Sequence, residues 1–381
     1  MSDHAHDYEQ GPIRPPNEAG SLLIRISRNC PWNRCLFCPV YKFDKFSRRS
    51  MEDIKKDIDV IARHVEEAAE LLSIDSGGGG QGIAKGVNTI YNQRPELLSV
   101  ANWLLNAEGT VFLQDADNLV YNGDTLGEII TYIKEKIRGV TRITTYARAK
   151  SLAKRSLKEL KSIKEAGLTR VHVGLESGCN EVLSFMRKGV TAEEHVEAGR
   201  KAREAGLILS EYVILGLGGE KYWMDHALQT AEVLNQIDPD YIRLRTLAVH
   251  PFSPLIEALQ DGSFTPLADE QVLREERILL EKLEGISSEL HSDHILNLLQ
   301  EVEGVFPEGK KAMLDTIDAY MSLPEEEREL FRLGRRTGVF RCLGDRENPL
   351  LRRRAEVLLM QVKGKGLSVD EFISDIVTNY L

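Results

Sequence analysis

Cysteine is scarce in this chain, with five among 381 residues, and the five are not spread as a disulfide framework would spread them. An odd, clustered set without a secretion signal reads as a reducing compartment, so a cytoplasmic location is expected. The opening residues Met1–His6 have neither the basic start nor the apolar stretch of such a signal. No apolar run reaches the roughly 18 residues that a membrane-spanning helix needs, so no membrane partner is expected. Excess basic charge is also missing. There are 49 Lys and Arg against 59 Asp and Glu, a formal charge of −10, which argues against a nucleic-acid or anionic-membrane surface. The run Gly77-Gly78-Gly79-Gly80-Gln81-Gly82 lacks the Gly-Lys-Ser/Thr ending of a phosphate-binding loop. It reads instead as a flexible insertion or lid.

What the chain does have is a thiol triplet. Cys30, Cys35 and Cys38 fall within nine positions, in the run Arg28-Asn29-Cys30-Pro31-Trp32-Asn33-Arg34-Cys35-Leu36-Phe37-Cys38-Pro39. Soft sulfur ligands select iron–sulfur clusters or zinc. Three ligands leave one metal position open for chemistry. Zinc would need a fourth ligand. No histidine is in the loop, and Cys179 and Cys342 are distant in sequence. Inert buried cysteines are the bland alternative.

After Leu22, short β-rich runs alternate with helical patterns. Strands are expected at Leu22–Ser27, Val111–Gln114, Arg142–Tyr146, Arg170–Leu175, Ser210–Leu215 and Tyr241–Thr246. Between them, Leu152–Ala166 has the apolar spacing of a helix, and Thr191-Ala192-Glu193-Glu194 is a capping box that starts another. Two helices should end in the same words, Glu165-Ala166-Gly167-Leu168 and Glu204-Ala205-Gly206-Leu207, 39 positions apart. That spacing is one helix-plus-strand unit, and its repetition means a parallel sheet wrapped by helices. The fold class is therefore α/β. A partial (β/α)6 barrel of the TIM type is favoured, with an open sheet as the alternative. Residues 1–20, rich in proline and glycine, read as a flexible arm. Residues 21–250 read as the core barrel and 251–381 as a helical C-terminal region, with helices over Glu270–Glu289 and Leu323–Leu333. His4 and His6 read as part of the arm. His291 and His294 read as a solvated helix face, with metal binding or proton transfer as the alternative. Arg352-Arg353-Arg354 reads as an exposed charge run.

Polar and glycine residues gather where strands end. The cysteine loop follows the first strand, Asp115 and Asp117 the second, Arg148 the third and Glu176 the fourth. Gly216-Leu217-Gly218-Gly219-Glu220 follows the fifth. Arg243, Arg245 and His250 belong to the sixth. Functional residues of parallel α/β folds collect at that rim.

The thiol triplet ahead of this α/β series resembles the radical S-adenosylmethionine (SAM) superfamily, and the fourth-strand segment Val173-Gly174-Leu175-Glu176-Ser177-Gly178 resembles its coproporphyrinogen-dehydrogenase-like branch. The resemblance covers about residues 21–250. The spacing here is Cys-x4-Cys-x2-Cys, one residue longer than the family's usual first interval. The resemblance implies a 4Fe–4S cluster held by Cys30, Cys35 and Cys38, with SAM on the iron that lacks a protein ligand. Reductive cleavage of SAM would then give a 5′-deoxyadenosyl radical that abstracts hydrogen from substrate. It further implies SAM contacts at Phe37 near the adenine, at Asp115 and Asp117 near the amino group, and at Glu176. Lys188 would meet the SAM carboxylate, Gly216 and Gly218 would lie along the adenine, and Arg148 is a further contact. A small-molecule or peptide substrate and a reductant such as flavodoxin or ferredoxin are the implied partners. No second cysteine cluster and no RNA-binding module accompany the core, so auxiliary clusters and nucleic acid are not expected. The rival reading is a non-catalytic iron–sulfur or haem carrier on the same barrel.

Overall fold

The computed structural model describes residues 7–72, 80–106 and 108–373. His4, His6 and Gly77–Gly79 lie outside the described residues. The chain divides into two compact units. Unit 1 comprises residues 1–31, 43–173 and 201–209, and unit 2 comprises residues 32–42, 174–200 and 210–381.

The fold class is α/β, a partial (β/α)6 barrel with a largely helical C-terminal region. All six expected strands form, as β1 (Leu22–Arg25), β2 (Thr110–Gln114), β3 (Arg142–Ala147), β4 (Leu168–Glu176), β5 (Ile208–Leu215) and β6 (Tyr241–Thr246). In unit 1, β1, β2, β3 and the first part of β4 pair in parallel and in chain order. Their core residues Ile24, Phe112, Leu113, Ile143 and Val171 are fully buried. Parallel strands joined by helices are covered on both faces, and here the buried positions include polar Thr144, Thr145 and His172 beside the apolar ones. The helix Met51–Leu71 lays Ile54, Ile58, Ile61 and Val65 toward that core, one helical stripe. Ser50 caps it by accepting the Asp53 N–H at 3.1 Å.

Residues 7–20, expected as a flexible arm, are bonded into unit 1 where they are described. Tyr8 is buried, and its hydroxyl meets Ser99 Oγ at 3.2 Å. Gln114 grips the Gly11 backbone from both sides, accepting its N–H at 2.9 Å and donating to its carbonyl at 3.0 Å. Glu18 is fully buried beside Ser21, His172 and Arg142. Charged and amide groups, invisible as a hydrophobic pattern, hold this segment.

In unit 2, β5 and β6 pair in parallel, and two further strands extend the set. β7 (Glu289–His291) runs parallel to β6, and β8 (Gly304–Val305) runs antiparallel to β7. The region after 251 is thus not purely helical. The expected helix Glu270–Glu289 is Asp269–Lys282, and the expected helix Leu323–Leu333 is Glu325–Arg336. His291 sits on β7 rather than on a helix, its Nε2 3.1 Å from Glu289. His294 lies beyond the strand, and burial drives its pKa down to about 4. Two stops follow sequence logic closely. Gly167 and Gly206 end their helices at φ +132° and +77°, backbone that a Cβ disfavours. The expected helix Leu152–Ala166 is broken in two, at Ala149–Ala153 and Leu157–Ala166, because Ser156 caps the second piece through the Glu159 N–H. Among the described residues, no helix is long and apolar enough to cross a membrane.

Candidate active site

Cys30 lies in unit 1, and Cys35 and Cys38 lie in unit 2. All three are half-buried and outside any disulfide. Cys30 follows Asn29, which adopts φ +66° and donates its N–H to the Asp115 carboxylate at 3.1 Å. In unit 2 the backbone between the other two thiols is pinned from three directions. The Leu36 N–H donates to the Met186 carbonyl at 3.0 Å, and the Leu36 carbonyl accepts from the Leu255 N–H at 2.9 Å and the Ser253 hydroxyl at 2.5 Å. Leu36 and Phe37 pack on an apolar cluster of Cys179, Val182, Met186, Leu217, Leu255 and Phe264. The indole N–H of Trp32 adds a bond to the Arg187 carbonyl at 2.7 Å. The apolar pair is drawn inward and the flanking thiols are left partly accessible. Among the described residues, no three His, Cys, Asp or Glu side chains gather around a point that would hold a single metal ion. An iron–sulfur cube asks for a different arrangement, since each thiolate takes a separate iron. The all-sulfur donor set suits that soft metal.

The same unit holds a charged group beside Phe37. Lys188 Nζ stands 2.9 Å from Glu176 Oε1 and 5.8 Å from the centre of the Phe37 ring. Glu176 takes φ +64° at the end of β4, a conformation uncommon for a side chain of its size. A Cβ at Gly174 would run into the Glu176 carboxylate and the Lys188 ammonium, so the glycine gives this pair its room. Glu211, on β5, is fully buried with no hydrogen-bond partner for either carboxylate oxygen. Burial raises its pKa well above the ordinary value, the Glu176 charge raises it further, and Lys188 opposes both. A carboxylate and an ammonium side by side and largely buried are the charge complement of an amino acid's ammonium and carboxylate.

Gly216 and Gly218 close β5. Gly216 takes φ +80°, and its N–H donates to Glu275 Oε1 at 2.7 Å. Burial drives Glu275 up to about 8. His226 braces the same turn, 3.0 Å from the Ile214 carbonyl and 2.9 Å from Ser177 Oγ. Burial holds its pKa down to about 4, so it is neutral there. Gly218 has no space for a side chain because the Tyr222 backbone and His226 lie against it.

In unit 1, Asp115 is fully buried and accepts two bonds from Arg25, at 2.9 and 2.7 Å. Asp117 is also fully buried and accepts the Ser151 hydroxyl at 2.5 Å. Burial lifts its pKa to about 6 against the pull of Ser151 and of the Arg148 backbone and charge. The structure thus brings Phe37, Glu176 and Lys188 into one group and Asp117 and Arg148 into another. Asp115 is engaged with the approach to Cys30. Glu211, Glu275 and His226 escaped the sequence reading. Only Glu211 leaves a trace there, as a charge inside the run Ile208–Leu215, which otherwise reads as a strand buried on both faces.

Residues 96–231 match the family model described as the radical SAM superfamily. Among curated proteins, the tRNA uridine(34) acetyltransferase of Methanocaldococcus jannaschii is 27% identical over 118 residues, 30% of this chain and 22% of that protein. The anaerobic magnesium-protoporphyrin IX monomethyl ester cyclase of Cereibacter sphaeroides is 26% identical over 241 residues, 63% of this chain and 32% of that protein. The chain thus spans under a third of the length of either relative. Among solved structures, methylornithine synthase aligns at TM-score 0.44 and 15% identity, covering 80% of this chain and 82% of that one. The matched segment holds the strand ends from β2 to the β5 turn, and this part of the chain is similar to the radical SAM superfamily.

Proposed function

We propose that the chain is an enzyme that cleaves SAM reductively and uses the resulting 5′-deoxyadenosyl radical to take hydrogen from a small-molecule or peptide substrate. When bound, the cluster and SAM supply one-electron cleavage of the sulfonium carbon–sulfur bond. Cys30, Cys35 and Cys38 would hold the cluster. Glu176 would accept the SAM ammonium, and Lys188, 2.9 Å away, would meet its carboxylate. Phe37 and the Gly216 backbone would flank the adenine. Glu211, kept protonated by burial, would add a hydrogen-bond donor without adding charge. Asp117 and Arg148 would serve as further polar contacts. An electron donor of the flavodoxin or ferredoxin type would supply the reducing equivalent.

The observation that carries this reading is the pinned Leu36-Phe37 backbone, which fixes Cys35 and Cys38 on the unit that also holds the Glu176–Lys188 pair. The named relatives act on chemically unrelated substrates, a tRNA uridine and a protoporphyrin ester. What they support in common is the core chemistry, not one substrate. The test is anaerobic reconstitution with iron and sulfide, then reduction with SAM present. Release of 5′-deoxyadenosine is expected, and Cys35→Ala should abolish it. A brown protein that binds SAM and never cleaves it would favour a non-catalytic carrier.

A further inference from the structure

We propose that Glu9 is a positioning residue for the cluster-binding loop, acting through Arg25, Arg28 and Asp115. The inference rests on reading Cys30, Cys35 and Cys38 as cluster ligands. It concerns a segment ahead of the first strand and outside the matched residues 96–231.

Three guanidinium groups converge on the Glu9 carboxylate. Arg28 donates from Nε at 2.7 Å and from Nη2 at 2.6 Å, a two-pronged grip. Arg25 Nη1 reaches the same carboxylate at 3.1 Å, and Arg49 Nε stands 3.3 Å from it. Two of these cations, Arg25 and Arg28, belong to the approach to Cys30, and Arg49 follows the returning strand Ser47–Arg48. Arg28 is two residues before it, on a short ribbon in which Ser27–Arg28 pairs with Ser47–Arg48. Arg25 ends β1 and also bonds Asp115, at 2.9 and 2.7 Å, and the Asn29 side-chain carbonyl at 3.1 Å. Asp115 in turn accepts the Asn29 N–H at 3.1 Å, and the Asn29 side-chain amide donates to the Lys45 carbonyl at 2.7 Å.

The residue just before Cys30 is therefore held at both ends of its side-chain amide, by the Arg25 guanidinium and the Lys45 carbonyl, and by its own N–H. It is held at φ +66°, a conformation a lone asparagine does not keep without surrounding bonds. Glu9 anchors the outer end of this relay. Its own position is set by the Glu9 N–H, which donates to Asp57 Oδ2 at 3.1 Å, and by the Gln114 bonds to Gly11 two residues later. Arg49 has a second carboxylate, Asp57 at 2.7 Å. Arg28 forms its ion pair with Glu9, so loss of Glu9 acts most directly next to Cys30. Charge gives a second consequence. Glu9 offsets guanidinium charge beside the loop, and cluster potential responds to nearby charge.

The test compares the full chain with Glu9→Gln and Glu9→Ala after anaerobic reconstitution. The readouts are iron released to a ferrous chelator, cluster midpoint potential by electron paramagnetic resonance, and melting of the iron-free protein. The variants should lose iron about tenfold faster, and their midpoint should move to more positive potential. Melting of the iron-free form alone would report a merely structural tie. Should Glu9→Ala fail to fold, Glu9→Gln, equal in size, decides. A parent that loads iron while both variants keep its release rate and its potential overturns the Glu9 proposal alone. A parent that takes up no iron overturns the cysteine reading and this inference with it.

Discussion

At the residue scale, the groups that sequence could name were those whose chemistry is rare. Three cysteines in nine positions announce themselves. Glu176 and Lys188 were legible through the resemblance, and the structure pairs them at 2.9 Å. Glu211 left only a trace, a charge inside an otherwise apolar strand, and its burial without a hydrogen-bond partner is a tertiary fact. Asp115 was legible as a rim carboxylate, but its engagement with Arg25 depends on β1 lying beside β2, a long-range fact. The Glu176–Lys188 pair supports a direct prediction. Glu176→Gln keeps the side-chain volume and removes the charge that would receive the SAM ammonium. A hydrogen bond to a charged group contributes about 1.5–3 kcal/mol, so SAM affinity of the reconstituted protein should fall about tenfold or more. Isothermal titration under anaerobic conditions measures this, and an unchanged affinity would remove Glu176 from the site.

At the element scale, most of the architecture could be read in advance, since apolar runs and helix stops are local. β6 has the expected ends, Tyr241 and Thr246, and the Thr191 box forms with Glu194, its N–H bonding the Thr191 hydroxyl at 3.3 Å. β7 was missed because three residues are too few to show alternation. Its place is set by pairing with β6 rather than by its own composition. The short connection after Asn180–Phe185 matters more than its length implies. Gly189 takes φ +71°, and the Trp32 ring occupies the space where its Cβ would stand. Gly189→Ala must therefore strain the backbone and push the indole away, weakening its bond to the Arg187 carbonyl. We expect slower iron uptake on reconstitution and altered Trp32 fluorescence, read against a Trp32→Phe reference. Thr191→Ala, two residues on, removes a helix cap and should lower stability by about 1 kcal/mol with iron uptake unchanged. Equal effects of the two variants on iron uptake would mean that the Trp32 contact has no special part in holding the loop.

At the scale of the whole molecule, the buried ionisable groups set opposing pH limits. In unit 1, burial alone would raise Glu18, but bonds from His172 and Ser21 and the charge of Arg142 outweigh it and bring it down to about 2. A lowered carboxyl stabilises the fold above its ordinary pKa of 4.5, and that contribution, on the order of 3 kcal/mol, is lost as pH falls through about 2. In unit 2 burial lowers His226 and His294 to about 4, so their contribution is complete above 6.5 and fades as pH falls through about 4. The alkaline limb belongs to Glu275 and Glu276, both raised by burial to about 8. A raised carboxyl works in the other sense. Its contribution is complete below 4.5 and is lost as pH rises through about 8. Glu276 is the better lever, because Glu275 also holds the Gly216 N–H, whereas Glu276 Oε1 has no hydrogen-bond partner. Glu276→Gln is neutral at every pH and of the same size, so it removes the ionisation without opening a cavity. The urea midpoint of the parent should drop between pH 6 and pH 9, and the variant should keep a larger part of its pH 6 midpoint at pH 9. A variant whose midpoint falls as steeply as the parent's would show that Glu276 already carries its charge in the folded chain.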